Sequence, residues 1–208
     1  MVSRRFLHHP KKAALWKPTE TRAVNTVAPA DVERAVAVIV LAFSADPVAR
    51  WACPDPRQYL ALFPTLVRAF GGRAFAQRTA RHVNSHAGAA LWLPPGIDPD
   101  HAALEASLPE AQTAEFAALF EEMARYHSSE AHWYLPMIGV DPTHQRKGCG
   151  PALLRETLRQ CDRDHLPAYL ESSNPANMNL YQRHGFEVRG TIRVGSSPPL
   201  FPMLRTAR

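Results

Sequence analysis

Apolar positions along the first third of the chain recur at helical spacing. Val32, Val36, Ile39 and Phe43 return every three or four residues, with Pro29 suited to a first turn and Asp31 favourable beside its positive end. Asp55-Pro56 then reads as an N-cap followed by an N1 proline. Tyr59, Phe63, Leu66 and Phe70 share one face of the helix it starts, which Gly71-Gly72 should stop and Pro64 should kink. The pattern changes afterwards. Residues 73–83 and 88–93 predict two strands across the turn N-S-H-A-G, and residues 99–127 are helical with a break near Leu108-Pro109. H-W-Y-L-P-M-I-G-V, residues 132–140, predicts a strand. Pro136 cannot donate a ladder hydrogen bond there, so a central position requires a bulge or a splayed partner. A helix over 150–164 should bury Leu153, Leu154, Thr157, Leu158 and Cys161. A strand over 167–172, a helix over 177–185 stopped by Gly185, and closing strands over 186–194 and 199–205 follow. Strands alternating with helices around a mixed sheet define an α/β or α+β domain.

Composition narrows this picture without changing it. A chain of 208 residues with 46% hydrophobic and 21% charged residues suits one packed domain. The longest apolar run, A-V-A-V-I-V-L-A-F at 35–43, is far short of the roughly 20 residues of a membrane span. The start has no apolar signal-peptide segment, although its basic, acid-poor character would also suit a transit peptide.

The net charge of +5 comes from residues 1–22, where Arg4, Arg5, Lys11, Lys12, Lys17 and Arg22 face only Glu20. The expected organisation is thus a basic, solvated arm over 1–22 and a single domain over 23–208. A neutral body argues against nucleic-acid and membrane partners. Cys53, Cys149 and Cys161 lack C-x-x-C spacing, which argues against a disulfide framework and for a reducing, cytoplasmic setting.

Candidate chemistry centres on Q-R-K-G-C-G, residues 145–150, where a strand gives way to a helix. The first N–H groups of a helix lack internal partners and its dipole is positive there, so an anion fits. Gly148 and Gly150 let oxygens approach the backbone, and Arg146 and Lys147 add charge. Neither a Walker loop nor a dinucleotide fingerprint is present, and G-x-G alone is compatible with a plain tight turn.

The wider context is more specific. Q-x-x-G-x-G after G-V, an apolar helix, L-E-S on a strand, and then L-Y-Q-R-H-G-F occur in this order, and together they resemble the GNAT superfamily of acyl-CoA-dependent N-acyltransferases. The resemblance spans roughly residues 24–205. D-P-V-A-R-W-A-C-P-D, A-A-L-W-L-P-P-G and W-Y-L-P-M-I-G-V look most like the branch containing puromycin N-acetyltransferase.

The resemblance implies a GNAT fold: a mixed, mostly antiparallel sheet of six to seven strands flanked by helices and splayed between its fourth and fifth strands. It implies acetyl-CoA as co-substrate, no metal, and a small-molecule primary amine as acceptor in a ternary complex, in a monomer or homodimer. Gln145, Arg146, Lys147, Gly148, Cys149 and Gly150 would hold the pyrophosphate of coenzyme A. Met137, Ile138, Gly139 and Val140 would line the acyl-CoA groove, with the Ile138 N–H as oxyanion donor. Asn174 and Asn177 would lie along the cofactor, though capping the following helix is the plainer expectation for Asn177. Tyr181 matches the family's general acid, against a simple packing role. Glu171 fits a general base, against a strand-end carboxylate paired with arginine or capping a turn.

Other residues carry less. Cys149 sits where a thiol pKa is lowered, so an acyl-cysteine route is conceivable. His82 and His86 lack the acidic companion of a zinc-protease helix. Trp51, Phe63, Trp92, Trp133 and Tyr134 suggest an aromatic acceptor pocket built from residues 43–70 and 97–135, with Glu130 as a guess for an ammonium anchor. The rival readings are a protein or peptide N-acetyltransferase docked through the basic arm and a non-catalytic acyl-CoA-binding module.

Overall fold

The computed structural model describes residues 23–107 and 113–208. The basic arm over 1–22 and the expected break at Leu108-Pro109 lie outside them. Seven strands form one sheet: β1 (Val24–Thr26), β2 (Arg81–Val83), β3 (Gly88–Leu93), β4 (Trp133–Val140), β5 (Ala168–Ser172), β6 (Glu187–Val188) and β7 (Phe201–Arg205). Their order is β1-β2-β3-β4-β5-β7-β6. Every pairing is antiparallel except β4 with β5.

The helices cover both faces. One face packs against α1 (Val32–Ala42) and α3 (Pro56–Gly71), which bury Val36, Ile39, Tyr59, Phe63 and Leu66 against Leu91, Leu93, Tyr134 and Met137. The other packs against α7 (Cys149–Arg163) and α8 (Met178–Arg183), with Leu153, Leu154, Leu158, Cys161, Tyr181 and Phe186 over Trp92, Trp133, Leu135 and Leu170. Strand alternation sorts β4 in this way, Tyr134 to the first core and Leu135 to the second.

Local chemistry explains most boundaries. Asp55 caps α3 by accepting from the Gln58 N–H at 2.9 Å, with Pro56 first in the helix. Asp46 does the same for a short helix the periodicity misses, α2 (Pro47–Ala52). Gly71-Gly72 do not end helical structure. Gly72 is right-handed at φ −64°, and the chain continues into α4 (Arg73–Ala76), where a strand was expected. R-A-F-A contains good helix formers and buries Ala74, so only Arg81–Val83 of the expected first strand pairs. The predicted hairpin turn holds Asn84, Ser85 and His86 at positive φ.

The helical stretch after Pro99 forms α5 (His101–Ala106) and α6 (Thr113–Tyr126). The first closing strand is reduced to β6 and one bridge between Ile192 and Leu200. All five residues expected on the buried face of α7 are buried. Cys53, Cys149 and Cys161 are buried, and burial pushes Cys161 up to about 12. No helix among the described residues is long and apolar enough to cross a membrane.

Candidate active site

Pro136 has the structural consequence its chemistry demands. Leu91 of β3 faces Met137 and Leu93 faces Tyr134, so two steps of β3 match three of β4, leaving a bulge at Leu135-Pro136. On its other side β4 pairs with β5 only at Trp133↔Ala168 and Tyr134↔Tyr169, and then the strands part. Beyond the bulge the Asp141 N–H donates to the Ala87 carbonyl at 2.9 Å, toward β3. Alternation therefore turns the N–H groups of Val140 and Ile138 the opposite way, into the gap. The Val140 carbonyl, on that same side, accepts from Gln145 Nε2 at 3.4 Å.

The gap opens into a cavity of about 790 Å³. Met137, Ile138, Gly139, Val140, Gln145, Arg146, Gly148, Cys149, Gly150, Asn174, Asn177, Tyr181 and Glu171 all border it. Of the residues expected at the cofactor only Lys147 does not. Its ammonium donates to the Thr143 carbonyl at 2.7 Å.

At one end of the cavity α7 begins. Gly148 takes φ +82° at its N-cap and no side chain caps the helix, so its first N–H groups remain available to an anion. Arg146 and His144, from the turn that leads into α7, also border the cavity, as does Arg183 at the end of α8. Cys149 contributes backbone, since its side chain is buried at 1% exposure in the core beneath α7. A buried thiol does not suit an acyl-cysteine route. Gly139 serves packing as well: a Cβ there would stand 2.8 Å from Ala42 Cβ and 3.1 Å from Ile39 Cα. Asn174 uses Oδ1 to accept from the Ala176 N–H at 3.0 Å. Asn177 makes no side-chain cap, which corrects the expectation that it would; the short 3-10 turn Pro175–Asn177 carries the chain into α8 and is capped by Asn174 instead.

The chemical groups gather where β5 leaves β4. Tyr181 is buried on the α7 side, and its phenol is raised above the ordinary tyrosine range by burial first and by the charge of Asp46 second. Glu171 has only 4% of its side chain exposed. Rather than an arginine or a turn, its partners are the Tyr134 hydroxyl, donating at 2.8 Å, and His127 Nε2 at 3.0 Å. Burial and the neighbouring Glu171 push Tyr134 well above its usual value, so it remains a donor. His127 lies edge-on to Tyr134 at 4.7 Å between centroids and is 28% exposed, which links the buried carboxylate to solvent.

Asp46 is the second buried carboxylate bordering the cavity. Its Oδ1 caps α2 by accepting from the Val48 and Ala49 N–H groups, and Ser173 Oγ donates to Oδ2 at 2.7 Å. Burial raises its pKa, opposed by the Ser173 hydrogen bond and then the two backbone donors. Asp46 and His127 are absent from the candidates named on sequence grounds. Asp46-Pro47 shares the signature of Asp55-Pro56 and could have been found by it. For His127 no local signal exists.

The cavity wall draws on both segments expected to face an acceptor, residues 43–70 and 97–135, but not on all the expected aromatics. Phe63 and Tyr134 border the cavity, whereas Trp92 and Trp133 pack on the opposite face of the sheet. Trp51 lies behind the wall, 4.9 Å from Phe116. Glu130 is exposed and is not part of the lining. His82 and His86 stack at 4.0 Å with rings nearly parallel, and among the described residues no group of three or more His, Cys, Asp or Glu side chains could hold a metal.

A bulged fourth strand, a parallel fifth strand diverging from it, and an uncapped helix opening beyond a glycine turn define the GNAT acetyltransferase fold. Residues 109–188 match the family model described as the acetyltransferase (GNAT) domain. An uncharacterized N-acetyltransferase of Schizosaccharomyces pombe is 26% identical over 204 residues, covering 88% of this chain and 83% of the relative. A crystal structure of a histone acetyltransferase and related acetyltransferase from Corynebacterium glutamicum superposes with a TM-score of 0.66, at 24% identity over 90% of this chain and 97% of that one. Arylalkylamine N-acetyltransferase 2 of Aedes aegypti superposes at 0.62, with 14% identity over 90% and 99% of the two chains.

Proposed function

We propose that this protein transfers an acetyl group from acetyl-CoA to the nitrogen of a small primary amine, by direct attack with both substrates bound. The observation that carries the reading is the gap between β4 and β5, bordered by Tyr181 and Glu171 and ending at the open start of α7. The residues suit the co-substrate. The uncapped α7 N-terminus with Arg146 and Arg183 would hold pyrophosphate, and the extended backbone at Ile138 and Val140 would hydrogen-bond the pantetheine arm. When bound, acetyl-CoA supplies an acyl thioester whose carbonyl carbon accepts the amine nitrogen.

The chain's groups divide the remaining work. The Ile138 N–H, turned into the gap, stabilises the carbonyl oxygen as negative charge develops on it. The carbon–sulfur bond breaks as the carbon–nitrogen bond forms, and Tyr181 donates its proton to the departing sulfur. Burial raises thiol and phenol pKa values alike, so a buried tyrosine stays matched to a thiolate leaving in the same surroundings. Glu171 takes the proton the nitrogen loses, directly or through water, and His127 passes it to solvent. The base matters in proportion to the amine: near pKa 10.4 only about 0.04% is neutral at pH 7, against roughly 14% near 7.8. The motif likeness to the puromycin N-acetyltransferase branch makes aminonucleosides one class to try.

Thiol release from acetyl-CoA tests the reading across aminonucleosides, aminoglycosides, amino acids, polyamines, arylalkylamines and peptides. Amine-dependent release is expected, with Tyr181→Phe lowering kcat about 100-fold and leaving the KM for acetyl-CoA within about twofold. Binding of acetyl-CoA without release for any amine would leave only a binding module.

A further inference from the structure

We infer that the acceptor is a monoamine on a compact apolar body, aromatic or branched aliphatic, with its nitrogen at Asp46 and Glu171 and its body in a phenylalanine-walled pocket. This rests on the acetyltransferase reading and names the substrate class within it. The two ends of the cavity differ chemically. At the turn into α7 stand Arg146 and His144, with Arg183 contributed by α8; the segments of α1, α3 and α6 supply a wall of Phe43, Phe63, Phe70, Phe116, Phe120 and Met123. These rings fall into two groups of neighbours, Phe43 with Phe63 and Phe70 with Phe116 and Phe120. Phe43 and Phe63 lie 5.7 Å apart, Phe70 and Phe120 5.9 Å, and Phe116 and Phe120 6.2 Å. An apolar pocket with a few convergent polar groups is the common form of a small-molecule site.

Asp46 and Glu171 are the only acids among the described lining residues. Glu171 lies near the end of β5, and Ser173, two residues on, ties Asp46 to the segment that follows that strand through its 2.7 Å hydrogen bond. Each carboxylate is buried and already hydrogen-bonded, so its position is set before an amine arrives. An incoming ammonium would offset the desolvation that burial imposes on Asp46. The phenylalanine wall offers nothing comparable to a second charge. The far ammonium of a polyamine, or the hydroxyls of an aminoglycoside, would be stripped of water there without a side-chain partner.

The discriminating experiment is steady-state acetylation at one pH of 2-phenylethylamine and 3-methylbutylamine against agmatine, spermidine, an aminoglycoside and a short peptide. The expected result is a kcat/KM at least tenfold higher for the two monoamines. Equal or better turnover of agmatine, spermidine, aminoglycoside or peptide overturns the acceptor class while leaving the acetyltransferase reading intact. Silence for every amine overturns both. Phe120→Ala should raise the KM for 2-phenylethylamine at least tenfold with the KM for acetyl-CoA unchanged. Asp46→Asn should raise the amine KM and leave that for acetyl-CoA within twofold. An unchanged amine KM in both variants would also overturn the assignment.

Discussion

Glu171 is a carboxylate whose surroundings leave it one useful direction. Tyr134 and His127 occupy a lone pair on each oxygen, and the side chain is nearly sealed from water. If it removes the nitrogen's proton, its importance must depend on how much neutral amine solution already supplies. Glu171→Gln should therefore lower kcat/KM by about 100-fold at pH 7 for an amine of pKa near 10. The deficit should shrink toward about tenfold as pH approaches 9.5; a pH-independent ratio of mutant to wild-type rates would remove the base role. The neighbouring residues also show what a chain can reveal before it folds. Tyr181 and Glu171 lie inside short motifs, so their place at the cavity could be anticipated from adjacent letters. His127 ends α6 and meets Glu171 only because β4 and β5 bring distant segments together, which no local pattern records.

At the scale of elements, β4 joins the core to the cleft. Its inner face packs on α1, and Gly139 permits an approach in which a methyl group would press on Ala42 Cβ and the Ile39 backbone. Neither neighbour is the free end of a flexible side chain. Gly139→Ala should destabilise the protein by about 1–3 kcal/mol, read as a lower denaturant midpoint at unchanged slope, and should raise the KM for acetyl-CoA. Long elements with a strong period, α1, α3 and α7, were legible because packing follows the pattern. Short ones were not. β1 and β2 have three residues each and α4 has four, too few for a period to declare itself, and tertiary contact decides their state. The bulge in β4 is the instructive exception, since one proline announced it.

For the molecule as a whole, the concentration of tyrosine near the cleft has a cost at high pH. Tyr59, Tyr134, Tyr169 and Tyr181 are all raised by burial, with acidic neighbours adding to the shift. Their folded-state pKa values exceed the unfolded value near 10, so stability is fully present below pH 10. It falls as pH rises above that, because only the unfolded chain can release those protons. The slope reaches about 1.4 kcal/mol per pH unit for each such tyrosine. Thermal melts should show a flat Tm toward pH 9 and a steep decline above 10, with tyrosine ionisation coincident with unfolding.

The parting of β4 and β5 gives this sheet a third edge, one that lies inside the protein. An outer edge invites other chains to add strands; an inner one admits only something as slender as a strand. A bound pantetheine arm would serve as that missing strand, satisfying backbone groups that the polypeptide leaves open. The amides of Ile138 and Val140 should then exchange with solvent deuterium faster than those of Met137 and Gly139 in the free protein. Acetyl-CoA should slow the first pair and leave the second nearly unchanged.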